Sequence, residues 1–187
     1  MTKNDVLAAV RPKSKFFIEL MIACVGSCFL AIMSQFAISL VGTPVPVTLQ
    51  TLAVFLLGGI LGSRRAAYSV IAYLIQGCCF LPVFAGGVVN PLWIMSPLAG
   101  FLISFVIAAF LIGKIIERKP QGHILYIVGA LVVGSLVIFG LGMIWLSFYV
   151  GVSKAFHFGV VPFLFGAALK IMVGSLVIRF YRGYVRT

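Results

Sequence analysis

The stretch of sequence that decides the fold is Pro162–Val177, which reads PFLFGAALKIMVGSLV. This apolar run carries a single charge, Lys170, near its middle, and no Asp or Glu lies nearby. Such a run is typical of a helix in a bilayer, where a lysine costs about 2.5–3.5 kcal/mol on insertion scales. One interpretation is a structural lysine that is solvated inside the bundle. We favour a functional one, in which the rest of the chain builds a cavity for an anion that Lys170 holds.

The chain as a whole has the composition of an integral membrane protein. Of its 187 residues, 63% are hydrophobic and only 9% are charged, whereas soluble domains carry roughly 25% charged residues. The length allows about six spans of ~20 residues with short loops. The net charge of +11 would suggest nucleic acid in a soluble protein. Here the basic residues flank apolar segments, so we expect the lipid bilayer and no nucleic acid as a partner.

The apolar segments predict an all-α bundle of six transmembrane helices with short loops. The predicted spans are Phe16–Val41, Leu49–Gly62, Ala66–Phe80, Leu92–Ile116, His123–Val150 and Phe156–Arg179. With the N-terminus inside, the inner segments hold twelve of the fourteen Lys and Arg residues, a marked positive-inside asymmetry. We therefore expect a cytoplasmic basic arm at 1–15, a single membrane domain at 16–182 and a cytoplasmic basic tail at 183–187.

Two irregular apolar segments interrupt the predicted helices, one at Thr43–Thr48 and one at 81–90. The first has prolines at positions 44 and 46, which cannot both lie in a regular helix. Irregular backbone at membrane depth is tolerated only where it is buried in protein or lines a cavity. In the six-span topology both segments lie on the outer side, and Lys170 leans towards them because side chains tilt towards the N-terminus of their helix. The sequence therefore predicts an outward-facing ligand pocket.

The chain offers little for catalysis. Its acids are Asp5, Glu19 and Glu117, no GxxxxGK[ST] phosphate loop occurs, and the four cysteines lie in apolar segments without metal-type spacing. We expect a transport or binding role, with no cofactor, no metal and no ATPase site of its own.

Small residues at Ala23, Ser27 and Ala31 recur every four positions on one face of the first span. A stripe of this kind lets another helix approach closely. The sequence leaves two alternatives open, packing within this chain and docking of a partner membrane subunit.

Three motifs carry a resemblance to a known family. TPVPVTLQTL at 43–52, LLGGILG at 56–62 and YLIQGCCFLPVFAGG at 73–87 resemble the BioY family, the biotin-specific S components of energy-coupling factor (ECF) transporters. The resemblance covers about residues 20–180. It implies high-affinity biotin uptake across the bacterial plasma membrane, with biotin captured from the outer side. It also implies docking of the small-residue stripe on a transmembrane coupling subunit, which is paired with two cytosolic ATPases.

The resemblance also suggests how the ligand is held. Lys170 would pair with the carboxylate of biotin, and aromatic residues at Phe84, Trp93 and Phe101 could enclose its rings. Polar residues could reach the ureido group, although each could equally bond another helix, and these are Thr48, Gln50, Asn90 and Ser96.

One departure from the family pattern concerns the last helix. The family has G-D-x-x-K there, with the aspartate facing the ureido N–H groups, and this chain has Ala167 at the acid position while keeping Lys170. The ligand could therefore be another small carboxylate. A solitary facilitator that needs no ATPase is a further alternative.

Overall fold

The computed structural model of the chain describes residues 3–39, 44–119 and 123–184, with side chains described from residue 15 onward. Thr43, at the start of the first predicted irregular segment, lies outside the described residues.

The described residues are mostly helical. The α-helices are α1 (Lys3–Gln35), α2 (Gln50–Leu61), α3 (Ser63–Cys78), α4 (Ala99–Arg118), α5 (Ile124–Val150), α6 (Val152–Gly159) and α7 (Leu164–Tyr184). Short 3₁₀ turns lie at Ala85–Gly87, Trp93–Met95 and Val161–Phe163. Two short antiparallel strands, β1 (Ala37–Ile38) and β2 (Val47–Thr48), pair Ala37 with Thr48 and Ile38 with Val47.

Four helical stretches in the described ranges are long and apolar enough to cross a membrane. They are Lys15–Gln35, Ala99–Arg118, Ile124–Val150 and Val152–Tyr184. The apolar helix α2 has 12 residues and α3 has 16, so both are shorter than a full span of about 20. The helical membrane class is confirmed, and the count of six spans stays a prediction.

Several helix boundaries differ from the predicted spans, and three of the differences have identifiable reasons. Helix α1 ends at Gln35, because the chain then leaves to form the β1–β2 pair. Helix α4 begins at Ala99 and not at Leu92, because a 3₁₀ turn and Pro97 precede it. The last predicted span is divided into α6 and α7 at Val161–Phe163, where Pro162 occupies the 3₁₀ turn.

A tight corner joins α2, α3 and α4 at the end of the bundle opposite to the irregular segments. Gly62 has φ 84°, a conformation that favours glycine, and it connects α2 directly to α3. The carboxylate of Glu117 on α4 accepts hydrogen bonds from the Ser63 backbone N–H at 2.6 Å and from its hydroxyl at 2.9 Å. The first turn of a helix leaves N–H groups without partners inside the helix, so Glu117 caps the start of α3.

A second carboxylate lies in the same region of the molecule. Glu19 on α1 pairs with Arg65 on α3 at 2.7 Å, and this ion pair is exposed. The two acidic side chains that the structure describes are thus both engaged close to the α2–α3 corner.

The stripe of small residues on α1 packs against α3. Ala23 and Ser27 are buried, and the Gln76 side-chain amide donates a hydrogen bond to the Ser27 hydroxyl at 3.0 Å. Ala31 is half-buried. The stripe therefore packs inside this chain, which is the first of the two alternatives. Docking of a partner on the same residues stays a prediction.

Candidate ligand-binding site

A cavity of about 440 Å³ opens where β2, the start of α2, the 84–96 segment and α7 meet. Small-molecule sites in proteins have volumes of about 300–1,000 Å³ and are mostly apolar with a few polar groups. The cavity fits this description, because aromatic and aliphatic side chains form most of its wall. It lies beside the N-terminal end of α2, whereas the corner at Gly62 closes the other end of that helix.

Lys170 is the charged residue in the cavity wall. It lies in the second turn of α7, and its Nζ donates hydrogen bonds to the Thr48 carbonyl at 2.5 Å and the Thr51 hydroxyl at 2.8 Å. An ammonium has three N–H donors, so one remains for a ligand. The described acids, Glu19 and Glu117, are engaged elsewhere. The arrangement presents an uncompensated positive charge to the cavity.

Aromatic side chains form part of the cavity wall. Phe84, Trp93 and Phe101 are each less than 10% exposed, and the rings of Phe84 and Trp93 lie 6.1 Å apart. The Trp93 indole N–H donates to the Cys78 sulfur at 3.2 Å, which fixes the orientation of the ring. Rings held in this way form a rigid apolar slot for a small ring system.

The loop wall of the cavity is anchored to helix α5. The Trp145 indole N–H donates to the Ser96 carbonyl at 3.0 Å, and the Tyr149 hydroxyl donates to the Met95 carbonyl at 2.7 Å. Ser96 in turn donates its own hydroxyl to the Trp93 carbonyl at 2.7 Å. The short 3₁₀ turn that carries Trp93 is thus fixed by two donors from α5 and by the hydroxyl of Ser96.

Some polar groups at the α2 end of the cavity form hydrogen bonds within the protein. The Thr48 hydroxyl accepts the Gln50 backbone N–H at 3.2 Å. The Gln50 side-chain amide donates to the Tyr73 hydroxyl at 2.6 Å. The side chain of Asn90 lines the cavity and has no hydrogen-bond partner within the described ranges.

Ala167 lies next to Lys170 at a smaller void. This void, of about 30 Å³, is lined by residues that include Ala167, Thr51 and Ser135. It is large enough for one water molecule, which needs about 10–15 Å³ of such volume. No carboxylate takes the place of the missing acid in this part of the structure.

All eight residues predicted to bind the ligand lie in the wall of the main cavity, and their contact with a ligand stays a prediction. These are Thr48, Gln50, Phe84, Asn90, Trp93, Ser96, Phe101 and Lys170. Sequence reasoning missed Thr51, although it lies beside Gln50 in the first turn of a short helix next to the irregular segment. It also missed Tyr73 and Trp145, whose polar atoms meet partners far away in the sequence. No pattern in the sequence marks those two pairings.

The chemistry of the site is that of binding. The described residues hold no group of three His, Cys, Asp or Glu that could bind a metal ion. A cation next to an apolar slot suits a small ligand that has an anionic end and a ring. Residues 5–187 match the sequence profile of the BioY family. The chain belongs to the BioY family.

Curated relatives from the BioY family match most of the chain. The chain is 36% identical over 134 residues to the probable biotin transporter BioY of Pyrococcus horikoshii, which covers 72% of this chain and 78% of the relative. It is 36% identical over 135 residues to the biotin transporter BioY of Thermotoga maritima, covering 72% and 79%. It is 33% identical over 161 residues to BioY2 of Lactococcus lactis, covering 84% and 86%.

A solved structure has the same fold. The crystal structure of the S-component for biotin from an ECF-type ABC transporter superposes with a TM-score of 0.80 and covers 98% of this chain and 95% of that chain. The sequence identity is 24%, so this likeness concerns the fold. Membership of the BioY family, a family of transport substrate-binding subunits, agrees with the expectation that the chain is not an enzyme.

Proposed function

We propose that this chain is the substrate-binding membrane subunit of a high-affinity biotin uptake system. The observation that carries the proposal is the Lys170 ammonium, which lies at a cavity of about 440 Å³ without a carboxylate partner among the described side chains. An uncompensated charge at membrane depth is unfavourable, and a bound anion removes that penalty. The curated relatives named above as biotin transporters support biotin as that anion.

The wall of the cavity suits the three parts of biotin. The valerate carboxylate would accept the free N–H of Lys170. The thioether ring would lie among Phe84, Trp93 and Phe101, because apolar rings bury well against aromatic surfaces. The ureido group would face Gln50 and Asn90, whose amides can both donate and accept hydrogen bonds.

The proposed membrane arrangement places both termini in the cytoplasm and the cavity on the outer side of a bacterial plasma membrane. It has six spans, in which the short helices α2 and α3 each count as one. The positive-inside distribution of Lys and Arg supports this orientation. The cavity and the basic turn at 63–65 lie at opposite ends of α2, which is what the orientation requires.

The proposed energy source lies in partner proteins. The sequence has no phosphate-binding loop of its own, so uptake would need a transmembrane coupling subunit of the ECF type and two cytosolic ATPase subunits. Ala23, Ser27 and Ala31 remain the proposed docking stripe. Because Ala23 and Ser27 are buried against α3, docking there would require α1 and α3 to separate.

One observation favours a second candidate, an S component for another small carboxylate. Ala167 stands where the BioY pattern has an acid facing the ureido N–H groups, and the void of about 30 Å³ beside it holds no replacement carboxylate. A ligand without such N–H groups would lose no hydrogen bond when alanine replaces the acid.

Titration of the purified protein in detergent with biotin tests the proposal. Lipoate, a small carboxylate with a sulfur ring and no ureido group, serves as the matched competitor. We expect saturable biotin binding at or below micromolar concentration and much weaker binding of lipoate. Absence of binding at micromolar biotin would refute the proposal, and a preference for lipoate would favour the second candidate. Uptake of biotin by cells without the coupling module would refute the need for ATPase partners.

A further inference from the structure

Tyr73 is a polar residue that lies entirely inside the bundle, behind the cavity wall. Its exposed fraction is 0%, and its ring packs edge-on against Phe84 at a centroid distance of 5.7 Å. Its hydroxyl contacts the Gln50 side-chain nitrogen at 2.6 Å and the Val83 carbonyl oxygen at 3.0 Å. The hydroxyl therefore connects a cavity-lining amide on α2 to the backbone of the second irregular segment.

The direction of each hydrogen bond follows from the chemistry of the partners. A carbonyl oxygen only accepts, so the short oxygen–oxygen contact between Tyr73 and Val83 requires a proton between them. The Ser34 hydroxyl lies 2.5 Å from the same carbonyl and 2.7 Å from the Ala31 carbonyl, so its single proton serves its own contacts and not the contact between Tyr73 and Val83. Tyr73 thus donates its proton to Val83, and its oxygen is left to accept from Gln50.

This direction fixes which end of the Gln50 amide faces the cavity. Its NH₂ group points to Tyr73, so its carbonyl oxygen points away. Gln50 lines the cavity, so the carbonyl oxygen is the end of its amide that a ligand there can reach. Without the tyrosine hydroxyl, the two ends of the amide could exchange, because the terminal torsion of glutamine is roughly two-fold.

We propose that Tyr73 is a positioning residue that presents the Gln50 carbonyl oxygen to a ureido N–H of the ligand. This assignment rests on the proposed function, because it takes biotin as the ligand. It gives the site a neutral acceptor in place of the acid that Ala167 replaces in the BioY pattern. Discrimination between ureido and non-ureido ligands then depends on a residue that does not line the cavity.

A double-mutant cycle with two ligands tests this role. The variants are Tyr73→Phe, Gln50→Met and the double variant, each titrated with biotin and with the two cyclic-carbamate analogues in which a ring oxygen replaces one ureido N–H. In the wild type, biotin should bind more tightly than one of the analogues. Tyr73→Phe and Gln50→Met should each reduce that preference by about 3- to 10-fold, the worth of one neutral hydrogen bond. The double variant should reduce it no further, because Tyr73 acts through Gln50.

Several outcomes would overturn the assignment. A purely structural Tyr73 would weaken biotin and carbamate equally and leave their ratio unchanged. Independent roles would give reductions that multiply in the double variant. Ser34→Ala, the matched control, removes a bond to the same Val83 carbonyl without touching the amide, and it should leave the ratio unchanged.

A fourth variant keeps the test decisive if Tyr73→Phe fails to fold. Gln50→Glu retains an acceptor oxygen at the cavity, so it should keep the preference for biotin that Gln50→Met loses. Equal losses in both variants would overturn the role of Gln50 as an acceptor. A wild-type protein that does not bind biotin at all would instead refute the proposed function, so the two failures are distinguishable.

Discussion

Replacing Lys170 with methionine removes the ammonium from the cavity and keeps an unbranched side chain. In the structure this ammonium donates one hydrogen bond to Thr48 and one to Thr51. Its third N–H group is left for the ligand. A hydrogen bond to a charged group contributes about 1.5–3 kcal/mol. Loss of that one bond should therefore weaken biotin binding by about 10- to 150-fold. Biotin methyl ester, whose tail is neutral, should lose less, because it has no carboxylate charge to pair with the ammonium.

Isothermal titration of the detergent-solubilised protein with both ligands measures these losses. Thr51→Val is the matched control, because it removes one partner of the ammonium and keeps the charge and the side-chain shape. It should preserve most of the preference for biotin over its ester. If Lys170→Met weakens both ligands by the same factor, the lysine organises the cavity and does not contact a carboxylate. That result would refute the reasoning.

Three other substitutions give independent checks. Trp145→Phe removes the donor that anchors the loop wall and should weaken biotin binding by up to about tenfold in the same titration; unchanged affinity would show that the anchor is dispensable. Glu117→Ala removes the cap of α3 and should cost about 0.5–2 kcal/mol of stability in thermal unfolding, while Glu19→Gln, in the exposed ion pair, should have a smaller effect; the opposite order would contradict the capping role. Ser27→Leu overfills a buried contact and should reduce biotin binding and uptake together, whereas loss of uptake alone would support docking on the stripe.

Much of the fold could be predicted because the bilayer imposes strong constraints on sequence. Long apolar runs bounded by basic residues predicted α4 and α5 to within a few residues at most ends. The prolines at 44 and 46 marked the break before α2. The exit of the chain at Gln35 was not predictable, because Ala37 and Ile38 are as apolar as the helix before them and leave it only to pair with Val47 and Thr48.

Part of the candidate site could be predicted for the same reason. A lysine among apolar residues and two Pro/Gly-rich segments are visible in the sequence, and the structure brings all of them to one cavity. The pairing of Gln50 with Tyr73, across 23 positions, and that of Trp145 with Ser96, across 49, have no such signature. The first pairing depends on how α2 packs against α3, and the second on how the loop before α4 packs against α5. The local sequence pattern does not encode such packing.

The double contact at the Val83 carbonyl has a consequence for how this site can change through evolution. The acceptor belongs to the main chain, so a mutation of residue 83 leaves it in place as long as the new side chain fits. The two donors, Ser34 and Tyr73, are side chains on different helices, and each can be lost by a single nucleotide change. Selection on the geometry of the cavity therefore acts at these two positions on α1 and α3, outside the wall of the cavity itself. Ligand preference can drift through Tyr73, a residue that a comparison of cavity walls alone would overlook.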